Sequence, residues 1–174
     1  MFGRNIRPFI KFVKDEVECG EKRVGVEVGV FYGDNAFCML KHLRIEKLFL
    51  VDPYVAYRDT DGWKDDEFMA NARMLARRRL KIFGNVVWVE KQSSDAVDDV
   101  VDGLDFVYID GCHSYESVKN DIKVWFPKVK KAGVIGGHDF RPNMSNGNGV
   151  AKAVVDCFPM ERVMGCYPDW WVIK

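Results

Sequence analysis

The chain has 174 residues, 48% of them hydrophobic and 30% charged, which suits a single domain over residues 1–174 with a sizeable buried core. Its 26 basic and 26 acidic residues give a formal net charge of zero, so bulk charge argues against nucleic acid as a partner, and no apolar run approaches the roughly 20 residues of a membrane span. Five cysteines without a CxxC pair argue against a zinc knuckle or disulfide framework and fit a reducing cytoplasm, and the N-terminus lacks a secretory apolar stretch.

In chain order, residues 1–22 supply an N-terminal helix. Pro8 suits its first turn, Phe9, Ile10, Val13 and Val17 recur at helical spacing, and Gly20 is the expected stop. The core then spans residues 23–174. "RVGVEVGV" reads as a strand and "FYGDN" as a glycine turn, with Asp34 or Asn35 capping a helix through "AFCMLKHL". "KLFLVD" is a short buried strand that ends in Asp52. Residues 53–65 read as a long polar and aromatic loop, a kind of segment that often carries function. A helix is expected over 67–82, with its "ARRRLK" run as a solvated face.

"NVVWVE" is the next strand, "SSDAVDDVV" a short helix capped by Ser93 or Ser94, and "DFVYID" a strand. "SYESVKNDIKVWFPKV" is a helix with Val118, Ile122, Trp125 and Val129 inward, followed by the strand "GVIGGHDF" and the helix "GVAKAVVDCF". The chain closes on two strands, "ERVMGC" and "DWWVIK", which the short "GCYPD" link forces to run antiparallel. The alternation predicts an α/β fold, Rossmann-like and doubly wound. Its sheet is mostly parallel and seven-stranded, with helices on both faces and an antiparallel last strand.

Open α/β sheets bind ligands at the carboxyl ends of their strands. That rule gathers "EVGVFYGDN", "VDPY", "VEKQSS", "IDGCHSY" and "HDFRP" at one edge. Glu27, an acid inside an apolar strand, needs partners, and Gly29 and Gly33 let backbone approach a ligand closely. Asp52 can accept two hydrogen bonds from a ribose diol, or cap the turn before Pro53. Together these four residues point to a bound nucleoside. His113 and His138, two of three histidines, fall at strand mouths and suit a general base for a hydroxyl, or a structural hydrogen bond. The third, His42, lies late in a helix and reads as surface.

"VEVGVFYGDNA", "LFLVDPY", "DFVYIDGCHSYESVKNDI" and "KAGVIGGHDF" resemble the successive motifs of class I S-adenosylmethionine (SAM)-dependent methyltransferases. The likeness is to the small-molecule O-methyltransferase branch of caffeoyl-CoA, catechol and antibiotic-sugar enzymes, and runs from Arg23 onward. It implies SAM as cofactor, with Glu27, Gly29 and Gly33 framing its methionine part and Asp52 holding the ribose. Tyr54 would lie near the adenosine, Ser93 or Ser94 near the adenine, and Asp110 near the reacting centre.

Relatives of that branch often hold a divalent cation on acids at the ends of the fourth and fifth strands. Here those acids are Asp110 and Asp139, with His138 beside them, a set for Mg²⁺ or a similar ion. Phe140 replaces the asparagine of catechol-type enzymes, and His138 the glutamate of antibiotic-sugar enzymes. The implied chemistry is in-line transfer to a small hydroxylated acceptor, a sugar or similar, with Asp110, His113 and His138 as catalytic candidates. Trp63, Tyr115, Arg141 and Trp170 are candidates for the acceptor pocket. Exposed aromatics after Pro53 suit a homo-oligomer contact. Two alternatives are a nicotinamide-dependent oxidoreductase, although the GxGxxG fingerprint is missing, and a non-catalytic nucleoside-binding module.

Overall fold

The computed structural model describes residues 6–18, 22–59, 62–141 and 149–174. The helix stop expected at Gly20, Cys19 and the proline of "HDFRP", Pro142, lie outside them. Helix α1 (Pro8–Glu16) leads into β1 (Arg23–Val28), α2 (Asp34–His42) and β2 (Ile45–Val51). Two short strands, β3 (Tyr57–Asp59) and β4 (Gly62–Lys64), precede α3 (Asp66–Leu80) and β5 (Val86–Val89). Then come α4 (Ser93–Ala96), β6 (Leu104–Ile109), α5 (Tyr115–Trp125), β7 (Val129–Gly137), α6 (Gly149–Cys157), β8 (Met164–Cys166) and β9 (Asp169–Ile173).

Among the described residues, seven strands form one sheet in the order β5-β2-β1-β6-β7-β9-β8. β5, β2, β1, β6 and β7 pair in parallel, while β9 runs antiparallel to both β7 and β8. This is the doubly wound architecture that the alternation of elements implies. Strand order reverses at β1, whose neighbours are β2 and β6, so a crevice opens where the loops after β1 and β6 diverge.

The period-two alternation of strands divides the core between the two faces of the sheet. On β6, Phe106 and Tyr108 pack with α1, α2 and α3, whereas Val107 and Ile109 pack with α5 and α6. Gly25 is part of this packing: any side chain there would overlap the Phe106 ring across the β1–β6 pair. Helix α1 is integral to the first face. Phe9, Ile10 and Val13 are fully buried, and Phe9 meets Phe106 edge-on at 6.3 Å and Tyr108 at 4.9 Å between ring centroids.

Local chemistry departs from expectation at several points. Gly33 caps α2 without a side-chain bond, so neither Asp34 nor Asn35 is the cap; a glycine in the left-handed region (φ 72°) turns the chain there instead. Neither Ser93 nor Ser94 caps α4, because Gln92 takes the cap position and the Ser93 hydroxyl accepts a hydrogen bond from the Trp125 indole N–H at 2.8 Å. The segment over 53–65 contains the β3–β4 hairpin rather than a featureless loop. In the "ARRRLK" run, Arg77 shares Glu90 with Arg73, and Arg79 pairs with Asp34 at 2.9 Å. These arginines tie α3 to the end of β5 and to α2.

Candidate active site

β1 ends at Val28, and the next residue takes a conformation that few side chains tolerate. Gly29 has φ 84°, and a methyl group on it would collide with the Asp110 carbonyl, so the exits of β1 and β6 press against each other. Asp52 fixes the loop that follows. Its Oδ2 accepts the Val30 and Phe31 backbone N–H groups, both at 2.9 Å, and its Oδ1 accepts that of Tyr54 at 2.8 Å. Asp52 therefore caps its own turn and braces the glycine loop. With about four acceptor sites on a carboxylate, it retains roughly one for a ligand hydroxyl, fewer than a diol would use.

Tyr54 is buried beside this loop, with its hydroxyl donating to the Phe31 carbonyl at 3.1 Å, and it is not among the residues that line the cavity that opens there. Glu27 lies beneath the loop, 1% exposed. Asn35 donates its amide to Oε1 at 2.9 Å, while Oε2 is buried without a hydrogen-bond partner. Burial pushes the Glu27 carboxyl up to about 8, against the Asn35 hydrogen bond that lowers it, and the nearby Asp110 and Asp52 charges push the same way as burial.

A cavity of about 300 Å³ opens beside this loop. Gly29, Phe31, Asp52, Ser93, Ser94 and Asp110 are among the residues that line it. Asp121 on α5 also lines it, 6% exposed, and burial pushes its carboxyl up to about 6 despite a hydrogen bond with Ser93. Sequence reading missed Asp121, which looks like one more polar residue of an amphipathic helix.

At the mouths of β6 and β7, two acids and two imidazoles converge. His113 Nε2 lies 3.6 Å from Asp110 Oδ1 and 3.4 Å from Asp139 Oδ2. His138 Nδ1 lies 3.7 and 3.2 Å from the same two oxygens. Asp139 sits at φ 58°, a backbone state that costs a non-glycine residue energy and is concentrated at functional sites. The His138 hydrogen bond, with the His113 and Arg141 charges, holds the Asp139 carboxyl down at about 2 against its partial burial.

Asp110, His113 and Asp139 offer ligand atoms within 4.8 Å of one another, a donor set fit for a divalent cation. His138, the histidine expected beside the two acids, reaches the same two oxygens from the residue before Asp139, and His113 reaches them from the turn after β6.

The acceptor candidates scatter. Trp63 is 64% exposed on β4. Tyr115 donates to Asp156 at 2.7 Å and carries Lys152 over its ring, so it serves the α5–α6 contact. Arg141 stays at the cluster, 3.3 Å from Asp139 Oδ1. Trp170 is fully buried on β9 against Gly137 and is not among the residues that line the cavity.

A buried polar chain that sequence reading missed reaches the same site. Arg7, just before α1, donates to the Tyr108 hydroxyl at 2.6 Å and lies 3.4 Å from Asp110 Oδ2. The Tyr108 hydroxyl donates to Asp169 Oδ1 at 2.9 Å, and Asp169 Oδ2 accepts the Phe9 backbone N–H at 3.1 Å. The one signal in the sequence was Tyr108 itself, a phenol inside a buried strand that must find a partner.

The family model described as "methyltransferase domain" matches residues 26–140, from the middle of β1 through the acid–histidine cluster. The chain belongs to this family. It is a SAM-dependent methyltransferase, which displaces the nicotinamide-dependent alternative. The methyltransferase is 27% identical to uncharacterized protein R132 of Acanthamoeba polyphaga mimivirus over 97% of its own length and 80% of that protein. It also resembles solved structures. One is the O-methyltransferase NovP, with TM-score 0.68, 17% identity, and coverage of 95% of this chain and 79% of that one. Another is the spermidine synthase of Thermotoga maritima, with TM-score 0.62, 18% identity and 97% coverage, although the methyltransferase spans 57% of that chain. At these identities the likeness is one of fold. Among the described residues, no helix is long and apolar enough to cross a membrane.

Proposed function

We propose that the chain transfers the methyl group of SAM to a hydroxyl of a small acceptor, a sugar or similar molecule. One observation carries this reading: Asp110 lines the nucleoside-sized cavity and also stands in the acid–histidine cluster. A methyl donor in the cavity would then present its sulfonium beside groups able to take a proton. Ser93 and Ser94 would meet the adenine, Asp52 one ribose hydroxyl, and Gly29, Gly33 and Glu27 the methionine part. The acceptor oxygen would attack the methyl carbon in line while the carbon–sulfur pair leaves to sulfur. The acceptor proton would pass to His138, or to His113 where that imidazole holds no cation, giving a methyl ether and S-adenosylhomocysteine.

Asp110, His113 and Asp139 would hold a divalent cation. When bound, it would lower the cost of the acceptor oxyanion. The imidazole donor favours Mn²⁺ or a similar ion over Mg²⁺. Arg141, 3.3 Å from Asp139, would meet the acceptor. A non-catalytic nucleoside module would need the cavity alone, and the cluster at its mouth favours chemistry.

The test is transfer of tritium from methyl-labelled SAM to a panel of sugars, catechols and nucleosides, with and without Mn²⁺. Label in a hydroxylated acceptor that disappears in Asp110→Asn supports the reading. A blank panel with calorimetrically measured SAM binding overturns the acceptor class, and absence of SAM binding overturns the cofactor site.

A further inference from the structure

We infer that Arg7 anchors the carboxylate of the cofactor's methionyl group, its guanidinium fixed at one nitrogen by Tyr108 and Asp110 and its remaining N–H groups turned to the ligand. The inference rests on the cavity being the SAM site. That cavity is lined by Ser93, Ser94, Gly29 and Asp110 among others, and neither Glu27 nor Arg7 lines it. With an adenosine in this space and the sulfonium beside Asp110, the amino-acid tail would continue past Asp110 toward Arg7.

The tail is a zwitterion and needs one anion and one cation around it. Glu27 offers the anion, with Oε2 buried and without a partner. Arg7 supplies the cation. It lies 3.4 Å from Asp110 Oδ2, and its backbone and charge bear on the thiol of Cys38, one turn of α2 beyond the Asn35 that holds Glu27. It is also among the charges that bear on Glu27.

The hydrogen bonds of Arg7 to described side chains, at 2.6 Å to Tyr108 and 3.4 Å to Asp110, both leave from Nη1. Among the described residues, Nη2 and Nε make none. A guanidinium carries five N–H donors in a planar fork that matches a carboxylate, and this one is 32% exposed. The competing role is a purely structural tie between α1 and the sheet through Tyr108 and Asp169. A tie predicts equal losses for every ligand of the cavity; an anchor predicts loss only for ligands that bring the carboxylate.

Calorimetry with two ligands separates these. S-adenosylhomocysteine keeps the amino-acid tail, and methylthioadenosine is the same adenosyl thioether without it. The wild-type protein is expected to bind S-adenosylhomocysteine more tightly. In Arg7→Gln that affinity is expected to fall about 10- to 100-fold while methylthioadenosine changes less than about twofold. Arg7→Lys, a point charge without the fork, is expected to fall between, and it carries the same comparison if Arg7→Gln does not fold. Equal losses for both ligands, or no loss for either, overturn the inference while leaving the SAM site intact. Wild-type protein that binds neither ligand overturns the SAM site itself, and the anchor with it.

Discussion

At the scale of single residues, the site holds carboxylates in opposite states. Glu27 sits near 8 and Asp139 near 2, the first because burial disfavours its charge and the second because two imidazoles and Arg141 favour it. Between the ordinary glutamate value of about 4.3 and about 8, the unfolded chain releases the Glu27 proton while the ligand-free fold keeps it. Glu27 therefore costs stability progressively as pH rises through that window. Glu27→Gln removes the cost, so its melting temperature is expected to gain on wild type between pH 5 and pH 8, by on the order of 5 °C at the upper end. Thermal melts across that range check this, and a pH-independent gap would show that Glu27 is not the responsible group.

Asp139→Asn removes an oxygen donor from the Asp110–His113–Asp139 set and is expected to weaken Mn²⁺ binding by about tenfold or more, read by calorimetry without substrate. These residues were legible in the sequence because each carries distinctive chemistry at a strand end. Arg7, Tyr108 and Asp169 were not, because Arg7 and Tyr108 are 101 residues apart, Tyr108 and Asp169 are 61 apart, and they meet only after β6 and β9 have found their places.

At the scale of elements, α1 shows what a short amphipathic helix contributes when its apolar stripe closes a face of the sheet. Phe9 is fully buried against Phe106 and Tyr108, and Phe9→Ala is expected to cost about 3–5 kcal/mol by chemical denaturation. A loss under about 1 kcal/mol would mean that the helix is peripheral. The helices and long strands were legible from periodicity, since 3.6- and 2-residue repeats survive whatever the tertiary context. The β3–β4 hairpin was not, because three-residue strands are too short to show alternation. Helix caps failed for another reason. Asn35 and Ser93 have better partners in Glu27 and Trp125 than the helix ends their sequence positions suggest.

At the scale of the whole molecule, the reversal of strand order at β1 creates the crevice, and Gly29 lets its two sides meet at Asp110. Alternating elements told of a parallel sheet with an antiparallel end, but strand order is a property of the assembled sheet. If the crevice is the cofactor site, SAM at about 100 times its Kd stabilises the fold by about 2.7 kcal/mol, a rise in melting temperature of roughly 5–10 °C. Gly29→Ala combines a strained backbone with a collision at Asp110. It is expected to lower the melting temperature of the ligand-free protein and to abolish that rise. A Gly29→Ala protein with a normal rise would place the ligand elsewhere.

The bond from the Phe9 amide to Asp169 spans 160 residues. A ribosome releases α1 well ahead of its polar anchor on β9. While the residues between them are made, the oily side of that helix has no final resting place, and Arg7 waits first for Tyr108 and then for Asp169. Over that stretch of synthesis the nascent polypeptide carries an unanchored sticky helix, a natural target for a holding chaperone and a natural starting point for aggregation.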